Sequence, residues 1–165
     1  MKFSKSTALT FLLGAMVLTF AACNKDSMLT KKTEYLKSDI IMTGAQNVPV
    51  STATALGSMT LAYSTTTKIL TYTITWSGLT GAVASAGISG MAPYGYPSAT
   101  VVQTFNTANI VKCSTFGTTS CGTYKGTLLA DGVVVTEDNL LNGVYYVGIR
   151  TAANPAGELR AQIKF

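Results

Sequence analysis

Large apolar residues alternate with small polar ones along several short stretches of this chain. The clearest stretch is LTYTITW at 70–76, in which every second residue is a threonine. A period of two is typical of a β-strand that buries one face. Residues 57–63 repeat the pattern, and the polar run STTTK at 64–68 predicts a turn between the two strands.

The same alternation returns near the end of the chain, where NPAG at 154–157 predicts a turn between two strands at 145–150 and 158–165. A helical turn is expected at 137–142, since Thr136 can cap its start and Gly143 can end it. Weaker strands are predicted at 40–43, 83–88, 99–105 and 124–129. Seven or eight short strands predict an all-β domain, built as a sandwich or a barrel.

The N-terminal segment has the pattern of a secretory signal. Lys2 and Lys5 precede an apolar run that ends in Phe-Ala-Ala before Cys23. Small residues immediately before a cysteine resemble the bacterial lipoprotein signal, in which the thiol is lipidated and becomes the new N-terminus. An uncleaved membrane anchor is the alternative, but the run of 6–22 is at the short limit for a spanning helix.

These features divide the chain into a signal peptide at 1–22, a lipidated Cys23 with a flexible tether to residue 38, and one folded domain at 39–165. Asn24 stands where enteric bacteria place Asp to retain a lipoprotein in the inner membrane. We therefore expect a palmitate-bearing lipoprotein of the cell outer membrane, with the periplasmic or the surface face left open.

Composition narrows the possible chemistry. The chain has no histidine, so Ser-His-Asp sites, Cys-His sites and His-ligated zinc are excluded. The formal net charge of +5 falls to +3 when Lys2 and Lys5 leave with the signal, and residues 39–165 hold six basic and five acidic residues. The basic residues are not gathered on one predicted face, so we expect no nucleic-acid partner.

The three cysteines suggest one disulfide. If Cys23 is lipidated, Cys113 and Cys121 remain, and they bracket seven residues with a turn signal at Gly117. A disulfide between them closes a loop of about nine residues, worth roughly 2.5 kcal/mol in the chain-entropy model. Two free thiols, or a two-cysteine metal site short of ligands, are the alternatives.

Several motifs together resemble the CHRD domain, a domain named after chordin. They are GAQNVP at 44–49, LTYTI at 70–74, SGLTG at 77–81 and YVGIRTAANPAGELRAQ at 146–162. The resemblance covers about residues 40–165, and its most specific part is Asn-Pro-x-Gly-Glu-x-Arg. It implies an immunoglobulin-like antiparallel β-sandwich. In chordin such domains belong to a protein that binds extracellular signalling ligands.

The chain departs from this family at three positions. Bacterial members usually carry His-Ile-His-Gly after the SGLTG turn and a further histidine before the Asn-Pro turn. Here the first motif reads GISG, with Gly87 and Ser89 in the histidine positions, and the later position holds Arg150. Glycine, serine and a fixed cation are poor metal ligands, so we expect no metal and no cofactor.

Two further groups of residues are candidates for binding. Glu158, Arg160 and Gln162 are expected to share one face of a strand beside Arg150, either as a polar binding face or as a structural arrangement in which Glu158 pairs with the arginines.

The segment MAPYGYP at 91–97 holds Tyr94 and Tyr96 between Gly and Pro. The two rings either stand out to stack on a sugar or dock a partner, or they fold back over the end of the domain.

These expectations point to a non-enzymatic, lipid-anchored protein of the cell envelope, whose CHRD-like domain binds or scaffolds an unknown envelope protein or glycan. The alternative is a carbohydrate-binding module of the cell surface that uses Tyr94 and Tyr96 as stacking platforms. No phosphate-binding loop, nucleophile elbow or zinc spacing occurs in the sequence.

Overall fold

The computed structural model describes residues 32–114 and 117–165. This part of the chain forms one compact unit. The predicted signal peptide at 1–22 and the predicted lipidation site Cys23 lie outside the described residues. None of the helices in 32–114 and 117–165 is long and apolar enough to cross a membrane.

The described chain forms nine β-strands in one antiparallel sheet. In chain order they are β1 (Glu34–Thr43), β2 (Leu56–Ser64), β3 (Ile69–Ser77), β4 (Val83–Ser89), β5 (Val101–Thr104), β6 (Val111–Lys112), β7 (Gly122–Leu129), β8 (Tyr146–Thr151) and β9 (Leu159–Gln162). Their order across the sheet is β5-β4-β8-β9-β1-β2-β3-β7-β6. The all-β prediction is confirmed, and only the two-residue β6 was missed, because so short a strand leaves no alternating pattern.

The sheet curls until its two ends meet. Tyr72 on β3 donates a hydrogen bond of 2.8 Å to the Gln103 side chain on the edge strand β5. The Gln103 amide in turn donates to the Thr127 carbonyl on β7, at 2.9 Å. All nine strands belong to this single curled sheet, so the division into two facing sheets expected of an immunoglobulin-like sandwich is not confirmed.

The inner face of the curled sheet carries the core. Along β3 the buried residues are every second one, as the alternation predicted, and β2 buries Met59, Leu61 and Tyr63 in the same way. Rings fill the space between the sheet ends, where Phe105 stacks on Tyr124 with ring centroids 4.4 Å apart. Such stacking adds to the free energy gained by burying the rings.

The predicted helical turn is confirmed as α1 (Glu137–Leu141). The Thr136 hydroxyl accepts a hydrogen bond from the Asn139 N–H at 3.3 Å, which caps the helix. Leu140 is fully buried, so the helix closes one end of the core. Gly143 follows with a φ of 72°, the left-handed conformation that ends helices.

The first strand begins earlier than predicted. The sequence pattern predicts a tether at 23–38, but β1 already begins at Glu34, and residues 34–37 are paired with β2. Tyr35 packs against the rings of Tyr63 and Phe165. The pairing shifts register between Lys37 and Ile40, and Asp39 has a φ of 56°. This bulge interrupts the alternation, so the sequence pattern showed the strand only from Ile40.

The last strand is shorter than predicted, Leu159–Gln162 in place of 158–165, and it is buried on both faces. In β8 too, five of the six residues are buried. The alternation along 145–150 and 158–165 therefore does not separate an inner from a wet outer face. On the outer side, the segment between β4 and β5 contacts Tyr146 of β8 through Ser98 and Gln162 of β9 through Ala92.

Candidate functional site

An open groove of about 530 Å³ lies between β1 and the last residues of the chain. β1 and β9 are paired at Thr43 and Arg160, and no other pair between them occurs in the described chain. Since the two strands part beyond this pair, a gap opens that Ile41 and Phe165 line from opposite sides. Ile41 is 63% exposed although it lies within a strand.

Tyr94 stands at the rim of this groove. Its side chain is 66% exposed, and that of Tyr96 is 65% exposed, so neither ring folds back over the domain. Tyr94 lines the groove and Tyr96 does not. The structure therefore connects one of the two predicted tyrosines with a concave surface.

The segment that carries Tyr94 is held in place by hydrogen bonds on both sides of it. The Ala92 N–H donates to the Val144 carbonyl at 2.7 Å, and the Ala92 carbonyl accepts from the Gln162 amide at 2.8 Å. Beyond the tyrosines, the Tyr146 hydroxyl donates to the Ser98 carbonyl at 3.1 Å. The exposed ring is thus presented by a fixed backbone, which lowers the entropy lost on binding.

A row of buried polar side chains lies beneath this segment. The Arg160 guanidinium sits 3.7 Å from the centre of the Tyr146 ring and donates to Gln162 at 3.3 Å. Gln162 also donates to the Gly143 carbonyl at 2.7 Å. Burial lowers the pKa of Arg160, while the nearby hydroxyls of Tyr146 and Tyr94 act in the opposite direction. These contacts hold Arg160 and Gln162 in place beside the groove.

Glu158 does not pair with the arginines, so that part of the structural interpretation was wrong. Its carboxylate is fully buried and accepts from the Thr80 N–H at 2.6 Å, the Thr80 hydroxyl at 2.9 Å and the Thr151 hydroxyl. Burial raises the pKa of Glu158, but the hydrogen bonds from Thr151, Thr80 and Asn154 outweigh it and hold the pKa below its usual range. The strand starts at Leu159, so the regular alternation that would align Glu158 with Arg160 does not extend to it.

The three positions that differ from the usual family pattern lie on adjacent strands. Gly87 on β4 is opposite Gly148 on β8, two residues from Arg150. Arg150 and Arg160 line a cavity of about 20 Å³, room for about one water molecule. A side-chain carbon on Gly87 would overlap the Gln103 carbonyl of β5. The edge strand thus occupies the space that a histidine at this position would need.

Among the described residues no group of three or more histidine, cysteine, aspartate or glutamate side chains could hold a metal ion. Cys113 and Cys121 are joined in a disulfide, as predicted, with Cα atoms 5.4 Å apart. The loop that the disulfide closes contacts the end of β3, where the Thr119 carbonyl accepts from the Trp76 indole at 2.9 Å. The two cysteines therefore have a structural role.

The sequence did not indicate the groove itself. Lys37 and Ile41 line it from β1, and Gln46 lines it from the short 3-10 turn Gly44–Gln46. The sequence pattern places Lys37 in the tether, because the bulge at Asp39 interrupts the alternation of the strand. The alternation in the residues before the bulge is too short to read alone, and a gap between strands distant in sequence leaves no local signal.

Comparison with known proteins gives one result. Searches of the curated proteins and of the solved structures found no match. The family model of the CHRD domain matches residues 39–163, most of the chain and nearly all of the described domain. The match contains β2 to β9 and the segment that carries Tyr94. The protein therefore belongs to the CHRD domain family.

Proposed function

We propose that this protein is a non-enzymatic, lipid-anchored protein of the cell envelope, whose CHRD domain binds or scaffolds an extracellular partner. The observation that carries the proposal is the open groove with the exposed Tyr94 at its rim. A fixed, exposed aromatic ring beside an apolar concave surface is typical of binding sites. Among residues 32–114 and 117–165, no cysteine, aspartate or glutamate side chain lines the groove.

The lipid anchor rests on the sequence before the domain, a charged start, an apolar run and small residues preceding Cys23. Palmitate labelling and membrane fractionation in the native host test it. We expect label in the outer-membrane fraction and its loss in Cys23→Ala. A soluble, unlabelled native product would refute the anchor.

Binding through the groove is tested by capture from native envelope with the full mature chain as bait. Tyr94→Ala should reduce capture of the specific partner at least tenfold, because it removes the exposed ring at the groove. Tyr96→Ala is the matched control, since Tyr96 is equally exposed but lies outside the groove lining. Equal capture by both variants and the unaltered protein would show that the groove is not the binding surface.

A carbohydrate-binding module is the second candidate, supported by the exposure of both tyrosine rings. Aromatic faces stack on sugar rings, and two of them on one fixed segment could hold neighbouring sugars. Glycan retention should then fall when Tyr94→Ala and Tyr96→Ala are combined. Unchanged retention would remove this candidate.

A further inference from the structure

The gap between β1 and β9 exposes strand backbone as well as side chains. β1 is paired with β2 on both sides of its bulge, but with β9 only at Thr43. The side of β1 that faces the groove is therefore a strand edge inside the sheet. Strand edges of this kind are templates for pairing with another extended chain.

One group on this edge already has a substitute partner. The Gln46 side-chain amide donates to the Ile41 carbonyl at 2.8 Å. Gln46 lines the groove, so the Ile41 carbonyl points into it, and in a strand the N–H of a residue points to the same side as its carbonyl. Ile41 thus offers a donor and an acceptor to a chain lying in the groove.

The charge of the groove indicates which kind of ligand it favours. Lys37 and Lys164 line the groove, and none of the described aspartate or glutamate side chains lines it. Both lysines are exposed, so their charges can steer a negatively charged ligand toward the groove. Tyr94 and Ile41 also line the groove and supply apolar contact area.

We propose that the groove binds an extended, acidic polypeptide segment, which adds a strand along β1 in the gap before β9. Main-chain hydrogen bonds to Ile41 give affinity, while carboxylates of the segment meet Lys37 and Lys164. This inference deepens the proposed function, because it names the class of partner for the same groove. A sugar would use the tyrosine faces and would have no need of the free strand edge.

The test measures binding of a synthetic Val-Glu-Val-Glu-Val-Glu peptide to the mature full-length protein by fluorescence anisotropy. Two further versions carry N-methyl groups on all valines or on all glutamates, so each lacks the donors along one edge. We expect at least a tenfold loss for one methylated version, and a similar loss for a Val-Lys peptide of equal length. Equal binding of all four peptides, or no binding of any, overturns the proposal.

Gln46→Ala provides a variant with the opposite sign. It frees the Ile41 carbonyl, so the Glu peptide should bind several-fold more tightly, and the Ile41 amide should gain protection from hydrogen exchange when the peptide is bound. Unchanged affinity together with an unprotected Ile41 amide would contradict strand addition.

The two proposals fail in different ways. If capture of the native partner depends on Tyr94 but the peptide and Gln46→Ala results are negative, the groove is the binding site and its occupant is not a strand. If a native glycan competes at Tyr94 while the peptide does not bind, the partner is a sugar. Dimer formation through β1, detected by light scattering of the peptide-free protein, would make a second copy the occupant and overturn the proposal.

Discussion

The outer faces of β3 and β9 differ in their exposure to water. Along β3 the outer residues Thr71 and Thr75 are exposed, and the inner ones are buried. Along β9 every residue is buried, whichever way it points. The difference teaches that alternation in a sequence reports exposure to water only where nothing covers the strand.

Polar contacts hold the buried part of the sheet around β9. Arg160 lies on the Tyr146 ring, Gln162 joins two carbonyls, and Glu158 is surrounded by hydroxyl and N–H donors. Buried polar groups stabilise a fold only while their partners are in place. We therefore expect that replacing a polar side chain lowers the free energy of unfolding around β8 and β9. The same kind of replacement on the exposed face of β3 should have little effect.

The largest effect should come from Glu158→Ala. The change removes the carboxylate that accepts from the Thr80 N–H and from the hydroxyls of Thr80 and Thr151, and Thr151 is fully buried. The loss of these charge-assisted hydrogen bonds should cost about 3 kcal/mol in the free energy of unfolding. Glu34→Ala, at an exposed carboxylate on β1, should change it by less than about 0.5 kcal/mol. Urea unfolding of both variants gives the comparison, and equal losses would show that burial does not distinguish the two parts.

Low pH should remove much of the stability that the Glu158 carboxylate contributes. The pKa of Glu158 is lowered in the folded protein, so its stabilising effect is complete above the unfolded value of about 4.3 and is lost as pH falls through the folded value. The difference in unfolding free energy between the unaltered protein and Glu158→Gln should therefore be constant near pH 7 and shrink below about pH 4. The Asp131 carboxyl also has a lowered pKa, through N–H donors such as Val135 and Val133, but both proteins retain it. A difference that stays constant down to pH 3 would contradict the assignment.

The sequence predicted best where local pattern and environment agree. The β3 alternation, the Thr136 cap and the pairing of Cys113 with Cys121 all depend on neighbours close in the chain. It failed where distant segments decide the outcome. The cover of β9 comes from a loop more than sixty residues earlier, through Ala92, and the groove exists because two strands distant in sequence part.

Gly87 and Gly148 are paired across β4 and β8, but they differ in the space around them. Gly87→Ala should cost about 2 kcal/mol, because the new methyl group would overlap the Gln103 carbonyl on β5. Gly148, its partner across β4 and β8, has room for a methyl group, since the nearest atom is on Tyr146 at 3.8 Å, an ordinary van der Waals distance. Gly148→Ala should therefore be neutral or slightly stabilising in thermal unfolding. Equal destabilisation by both substitutions would mean that overlap with the Gln103 carbonyl does not determine the effect at Gly87.

The smallest effect is expected on the open face. Thr71→Val replaces a hydroxyl that faces water with a methyl group on a β-branched side chain of the same shape, which suits a strand equally well. The free energy of unfolding should change by less than about 0.5 kcal/mol. Thr151→Val makes the same chemical change at a fully buried position of β8, where the hydroxyl donates to the Glu158 carboxylate. Hydrogen bonds to charged groups are worth about 1.5–3 kcal/mol. Urea unfolding of the two variants compares one substitution in two environments. If Thr71→Val proved as costly as Thr151→Val, the outer face of β3 would have to be covered in solution, and the contrast between the two parts of the sheet would fail.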